Sequence, residues 1–376
     1  MLLAGLFTGV LNRAGLLGLL ETTFLDVQMK IDVPDEESQV VIVDITQNDF
    51  DKMFEGKTRP LQPDALRKLI DAVAKGQPCV IGVDIDTHFS GFKDFKIADE
   101  WPSIIWSREI AELPSSIDQK PVPLEVLGGQ NPLLNDKSGI PLLIDDAGST
   151  TRQYVRLIET SLGKQPSFAW AVYKEQQSRD CGVKNTPPLK ENSDPLIIRY
   201  ARGIEGVGRI RTTAVEVIDF AKDPNWPSDG LLKNKTVLIG GSYLGEDRHY
   251  TPIGRMTGVE VMANVIESEF RGGGIKPPNY LTMGLLLLFD GFLLITLFQV
   301  LSLRKALLLS LPIIVIVSLA CSFMTYGSFS RWAFFAPVMI GVMLAELFDM
   351  VKDVYKDWLK RLYRPSHIKK TSNMSD

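Results

Sequence analysis

Cysteine is scarce in this 376-residue chain: three residues, too few for a disulfide framework. Cys79 lies in the apolar run PCVIGVDI, where it reads as a small buried side chain. Cys181 lies in polar surroundings and Cys321 in a long apolar stretch. A Cys79–Cys181 bridge is open to the chain, but nothing in the pattern favours it. Concentrated positive charge is missing too. The net charge is −4, and nucleic acid needs a basic footprint, which argues against that partner. There is no repeat of fixed period and no low-complexity tract. Catalytic motifs are also lacking. IGGSYLG (239–245) follows a strand with a Gly-rich loop but is neither a Rossmann fingerprint nor a P-loop. Ser242 lacks the G-x-S-x-G spacing of a hydrolase elbow. No enzyme activity and no cofactor are expected.

What is present begins with strands that do not alternate. Gln39–Ile45 (QVVIVDI) is a near-continuous apolar run ending in Asp44, and Pro78–Ile85 (PCVIGVDI) is another, ending in Asp84 and Asp86. Between them, Gln62–Ala74 reads as a helix with Leu66, Leu69, Ile70 and Val73 on one stripe, Asp64 as its cap and Gly76 as its stop. Strand, helix, strand with apolar strands predicts a parallel βαβ unit covered on both faces. Residues 103–108 add a further strand, and 112–136 read as a long surface loop. Ile140–Asp145 is set to pair with Gln153–Glu159 across a turn, and Ser167–Gln177 reads as a helix. Pro195–Tyr200 reads as a strand, whereas Thr213–Ala221 is short and ambiguous. The stretch Lys235–Phe270 combines an apolar strand (Thr236–Ile239), a polar loop with Asp247, Arg248 and His249, and a helix from Gly258. Val259, Val261, Met262, Val265, Ile266 and Phe270 share a broad face of that helix.

Long apolar runs are nearly confined to the part after residue 280. Segments 281–300, 306–326 and 332–350 each approach the roughly 20 residues of a membrane helix. Asp290 lies mid-span in the first, where an acid is costly and is expected to be paired in the bundle. Residues 1–20 are expected to form a fourth membrane helix, either as it stands or completed upstream of Met1. A surface amphipathic helix is the alternative, because Asn12 and Arg13 interrupt the run. Arg304 and Lys305 in one loop, and the lysines and arginines of 351–376, orient those segments inward. Residues 21–278 are then an extracytoplasmic domain, 279–350 hold three spans, and 351–376 form a basic cytoplasmic tail. Val351, Val354, Tyr355, Trp358, Leu359 and Leu362 recur in the tail at helical spacing, either to dock a partner or to lie on the inner leaflet.

These residues resemble the CHASE2 family. The matching pieces are GLLGLLE followed by Asp26, VVIVDI with Asp44, Arg59-Pro60, and VIGVDI with Asp84 and Phe89. TVLIG, Asp247, Thr251-Pro252 and GVEVMAN (Gly258, Glu260, Ala263, Asn264) complete the set. The sequence departs from the family pattern after Asp44, where Ile45, Thr46 and Gln47 replace an acidic residue and Ser, and in RPLQP, where tryptophans are usual. The resemblance implies an extracytoplasmic sensory α/β domain with a mostly parallel sheet, between one N-terminal and three C-terminal membrane helices. Members often continue into a catalytic output domain, and residues 351–376 are too short to be one. The expectation is therefore a sensory subunit of the bacterial inner membrane. It would detect a small molecule or a periplasmic protein and act on a separately encoded cytoplasmic effector, as a homodimer by analogy with receptors. A non-sensing scaffold and a cation-dependent enzyme are the alternatives.

The candidate ligand site follows from the strand ends. Asp44 and Asp84 close two strands expected to be parallel neighbours, and Asp247 follows a third in the same sense. In open α/β sheets that end binds ligands, with Arg248 here as a counter-charge. The bland alternative is that each aspartate caps a turn or pairs with Arg59 or Arg248. Asp86 and His88, with His249 nearby, are the metal-ligating candidates, although no two histidines are close in sequence.

Overall fold

The computed structural model describes residues 16–31, 38–56, 61–111, 125–126, 137–146, 149–179, 181, 191, 193–200, 210–226, 230–245 and 247–276, with scattered helical positions from 288 to 359. The chain divides into two compact units, Leu25–Lys276 and Met1–Phe24 with Pro277–Asp376.

The strands of the first unit are β1 (Val40–Ile45), β2 (Val80–Asp84), β3 (Ser103–Ser107), β4 (Ile110–Ala111), β5 (Glu125–Val126), β6 (Ser138–Gly139), β7 (Leu143–Asp145), β8 (Thr151–Tyr154), β9 (Leu157–Thr160), β10 (Gly163–Pro166), β11 (Leu196–Ile197), β12 (Ile210–Thr213), β13 (Thr236–Gly241), β14 (Arg248–Thr251) and β15 (Gly254–Thr257). The helices are α1 (Leu16–Ile31), α2 (Gln47–Met53), α3 (Pro63–Lys75), α4 (Phe168–Gln177), α5 (Ala214–Phe220) and α6 (Gly258–Phe270). Six strands form one sheet in the order β12-β1-β13-β2-β3-β6, and every pair in it is parallel. This is the expected α/β class with one correction. β1 and β2 are not neighbours, because β13, the last strand to join, enters between them. A strand made of Thr236-Val-Leu-Ile, buried throughout, belongs in the sheet centre, and that is the slot left open.

Alternation sets the two faces. Val41, Val43, Ile45, Ile81, Val83, Val237 and Ile239 pack under α3 and α5 in one core. The four residues expected on the α3 stripe are fully buried there. Val40, Ile42 and Leu238 point the other way, toward the face covered by α4 and α6. Close contact there needs Gly240, since a Cβ on it would lie 2.6 Å from the Cβ of Val259.

Local expectations fare unevenly. Asp64 does not cap α3: Pro63 occupies the first turn after Gln62, which leaves Asp64 one position inside, while Gly76 ends the helix as expected. Thr46 and Asp49 form a capping box for α2, with the Asp49 carboxylate 3.0 Å from the Thr46 amide, so the departure after Asp44 starts a helix. Thr213 and Glu216 do the same for α5, resolving the ambiguous segment. The turn between β7 and β8 is as expected, but β9 pairs with β10. The polar loop after β13 is largely an antiparallel hairpin, β14–β15. Cys79 and Cys181 form a disulfide across 102 residues, with Cα atoms 5.9 Å apart.

In the second unit, no helix among the described residues is long and apolar enough to cross a membrane. The expected spans 281–300, 306–326 and 332–350 lie outside the described residues, apart from isolated helical positions; so do Asp290 and residues 1–15. Leu362 and the rest of the tail beyond Leu359 are outside them too.

Candidate functional site

Register decides where the aspartates go. Asp44 of β1, Gly240 of β13 and Asp84 of β2 stand side by side, so both carboxylates rise from the C-terminal ends of the strands on the same face. They are two strand spacings apart, about 10 Å. Between them, over Gly240, sits Val259 in the first turn of α6. The three expected aspartates therefore do not converge. Asp247 joins Asp84, and Asp44 stands apart.

Asp44 is fully buried and neutralised. Arg211 Nη2 donates to it at 2.6 Å and Ser242 Oγ at 2.7 Å. The same guanidinium donates through Nη1 to Glu260 at 2.7 Å, and Glu260 also accepts from the Thr257 amide at 2.8 Å. Arg211 thus clamps the edge strand β12 to β1 and to the start of α6. Its hydrogen bonds and charge pairing with Asp44 and Glu260 raise its pKa against the opposing effect of burial. The counter-charge expected from Arg248 is supplied by Arg211 instead. Arg248 is exposed on β14, its Nε beside Gly245. Arg211 lies on β12, just before the ambiguous Thr213–Ala221 and in no element expected from the sequence. Glu260 had a legible signal, the T-x-x-E spacing of Thr257 and Glu260.

Among the described residues, no Lys or Arg forms an ion pair with Asp84. It lines an open cleft of about 230 Å3 with Asp86, Glu109 and Asp247. Leu61, Ile85, Phe89, Tyr243 and Leu244 also line it. Burial pushes the Asp84 carboxyl up to about 7, and the charge of Asp247 adds to the rise. A hydrogen bond from Ser107 and the charge of His249 pull the other way. Asp247 packs directly on α6, where a Cβ at Gly258 would lie 2.0 Å from its Oδ2. Only glycine fits there, and the Gly258 amide donates to the Asp247 carbonyl at 3.2 Å. His249 Nε2 lies 3.1 Å from Asp247 Oδ1, and Nδ1 lies 3.3 Å from Thr151 Oγ1. The hydrogen bond to Asp247 raises the His249 pKa, helped by the charges of Asp247, Asp145 and Asp84 and opposed by burial.

The metal-ligating candidates separate likewise. Asp86 and His88 come together, with His88 Nδ1 2.5 Å from Asp86 Oδ1, and Glu109 is their third neighbour at 4.0 Å. One ligand atom from each lies within 4.8 Å of the others. His249 is not in this group; it faces Asp247 and Thr151. Glu109 and Tyr243 were missed from sequence because loops, not periodic elements, bring them to the cleft. Tyr243 is held there by stacking on Phe50, centroids 4.3 Å apart.

A comparison with protein-family models matches the CHASE2 domain over residues 2–302. The chain belongs to the CHASE2 family. Comparison with curated proteins gives no match, and neither does comparison with solved structures. CHASE2 domains are extracytoplasmic sensory modules, which gives this chain a sensory role. Several CHASE2-like motif residues are accounted for physically. Asp26 of α1 accepts two hydrogen bonds from Arg152, at 2.9 and 2.8 Å, and fastens α1 to β8. Thr251 Oγ1 closes the β14–β15 turn on the Gly254 carbonyl at 2.6 Å. Asn264 Nδ2 bonds the Glu260 carbonyl at 2.8 Å inside α6. Arg59 and Pro60 lie outside the described residues.

Proposed function

We propose that this chain is a membrane-anchored sensory subunit. Its outer domain takes a small ligand in the cleft at the strand ends and passes the change through α6 to the segments beyond residue 277. The observation that carries the reading is the join between cleft and helix: Asp247 lines the cleft and packs on Gly258, the first residue of α6. α6 is then the last helix of the unit before the first apolar run. A filled, dry crevice would have favoured a scaffold; an open acidic cleft favours sensing.

Three observations support the placement across a bacterial inner membrane. The Cys79–Cys181 disulfide suits an oxidising compartment outside the cytoplasm. Leu288, Phe292 and Val300 are helical and at least 70% exposed, as side chains facing lipid are. Basic residues gather at 304–305 and after 351. The tail would then be cytoplasmic, where Tyr355 and Trp358, stacked at 6.0 Å and both more than half exposed, offer a surface to a separately encoded effector. A homodimer completes the proposal by receptor analogy. The reading is of a receptor, not an enzyme.

The test is photo-crosslinking in cells from a probe at Tyr355. A cytoplasmic signalling protein should be captured, and capture should change when cleft residue Asp247 is replaced by Asn. Capture of lipid or of the chain itself alone would sink the effector.

A further inference from the structure

Alternate residues of one short strand hold both ends of the unit Leu25–Lys276. Arg152 and Tyr154 of β8 are spaced by two, and Arg156 continues the spacing, so an extended chain turns all three to one face. Arg152 takes the entering end. Its guanidinium donates to both carboxylate oxygens of Asp26 on α1, the helix whose Leu25, Gln28 and Met29 are buried. Tyr154 and Arg156 take the leaving end. The Tyr154 hydroxyl donates to Glu269 at the end of α6 and accepts from the Gly274 amide at 3.0 Å; Arg156 grips the same Glu269 with two hydrogen bonds. Ile275 then exchanges two backbone hydrogen bonds, at 2.9 and 3.1 Å, with Ile197 of β11, which is itself paired to β8. The approach is close enough to need glycine. A Cβ at Gly273, whose φ is +100°, would lie 2.6 Å from Arg156 Nη2, and one at Gly274 would lie 2.7 Å from the Ile197 carbonyl oxygen. The start of β8 has a third attachment. Thr150 bridges to Tyr250, and Thr151 Oγ1 lies 3.3 Å from His249 Nδ1, both on the hairpin that follows cleft residue Asp247.

We propose that β8 is a coupler. It joins the entering helix α1 and the leaving segment 272–276 into one body, and the β14–β15 hairpin moves both ends together. The proposal rests on the sensory reading above only for the direction in which a signal travels. If α6 carried the change by itself, the leaving end would respond and α1 would not. The chemistry of the ties favours coupling over simple stabilisation. A buried ion pair adds little net stability over apolar packing of the same volume, but it holds its partners in one geometry. A guanidinium that meets a carboxylate with two parallel hydrogen bonds fixes direction as well as distance. Such a pair stands at each end: Arg152 with Asp26, and Arg156 with Glu269. Slippage at either end breaks charge-assisted bonds that a greasy contact would not have. Coupling of this kind is reciprocal, so loosening either end must loosen the other.

The experiment is hydrogen exchange, read by mass spectrometry, on the full chain in detergent at pH 7. Asp26→Asn weakens the entering tie, and Tyr154→Phe removes the hydroxyl that holds Glu269 and Gly274. Asp26→Asn should speed exchange about tenfold in residues 271–276 as well as in α1, and Tyr154→Phe should do the same in residues 25–31 as well as at its own end. Thr213→Ala, which removes the cap of α5 on the opposite face of the sheet, is the control of comparable strength and should change neither end. Thermal unfolding checks that each variant is folded. The proposal is overturned if either variant leaves the opposite end unchanged, if Thr213→Ala loosens both ends equally, or if exchange rises uniformly through α3 and β13, which marks loss of global stability. Crosslinking from Tyr355 in the same variants separates the two readings. Reciprocal loosening with unchanged capture would count against the sensory reading and leave the coupler standing. Loosening confined to the altered end would overturn the coupler alone.

Discussion

Asp44 and Asp84 rise from the same face of one sheet at the same level, yet they end in different electrostatic states. Asp44 has Arg211 and Ser242, whereas Asp84 faces Asp247 in the cleft. The consequence is a pH dependence. Asp84 holds its proton in the folded chain up to about 7, against 3.8 as its ordinary value. The folded state therefore binds more protons through that window, and stability falls as pH rises across it. His249 acts in the same direction: its pKa is raised, so its stabilising contribution is present at low pH and lost as pH rises through the folded value. Asp84→Asn is expected to stabilise the protein at pH 8 and to gain nothing near pH 4. A rise to about 7 corresponds to about 4 kcal/mol for a dry site. Solvent in the open cleft reduces the expected gain to about 1–2 kcal/mol. Denaturant unfolding at the two pH values measures it, and an equal effect at both would contradict the account.

At the scale of elements, α6 is unusual in burying charge. The sequence suggests one broad apolar face, but every residue from Gly258 to Glu269 is buried, including three glutamates. Each glutamate has a structural task. Glu260 takes Arg211 and the helix N-terminus; Glu267 accepts the Val40 amide at 3.0 Å and the Ser38 hydroxyl. Glu269 meets Arg156 at 2.9 and 2.7 Å and Tyr154 at 2.5 Å, and Arg156 also lies 4.6 Å over the Trp170 ring. Burial and the Glu269 charge together push the Tyr154 phenol well above its ordinary range. The helix is thus fixed to β1, β8 and β12, so it moves with the sheet. Glu269→Ala removes the carboxylate facing a buried arginine and is expected to cost about 3–5 kcal/mol. The double change Arg156→Met with Glu269→Leu should recover most of that by removing both charges. Thermal and denaturant unfolding of both variants decides this. The disulfide is the second fastening. It ties the start of β2 to the chain just after α4, closing a loop of about 100 residues, so Cys79→Ser should lower stability by about 2–5 kcal/mol. Equal denaturation curves for reduced and oxidised protein would rule that out.

For the whole molecule, the expectation concerns orientation. In a variant lacking Cys321, a cysteine at Arg304 should react with an impermeant maleimide only after the cytoplasmic side is opened. One at Arg331 should react from outside, following the positive-inside asymmetry. The reverse pattern would invert the proposed topology. Much of the architecture was legible because its signals are local. VVIVDI, VIGVDI and TVLIG are apolar without alternation, which is what strands covered on both faces require. The stripe of α3 and its Gly76 stop follow from helical periodicity in the same way. Family membership was legible for the same reason, since its motifs lie within those segments. Strand order was not, because nothing local tells β13 to enter between β1 and β2. Local pattern also does not reveal which cation reaches which carboxylate. Asp44 and Arg211 are 167 residues apart, Arg156 and Glu269 are 113 apart, and adjacency in sequence pointed to Arg248 instead. The sequence by itself determined the element types, the acidic strand ends and the family, because backbone preference and side-chain period act over a few residues. Only the tertiary structure decided that Asp44 is neutralised while Asp84 and Asp247 share an open cleft, because electrostatic pairing depends on distances that the topology alone sets.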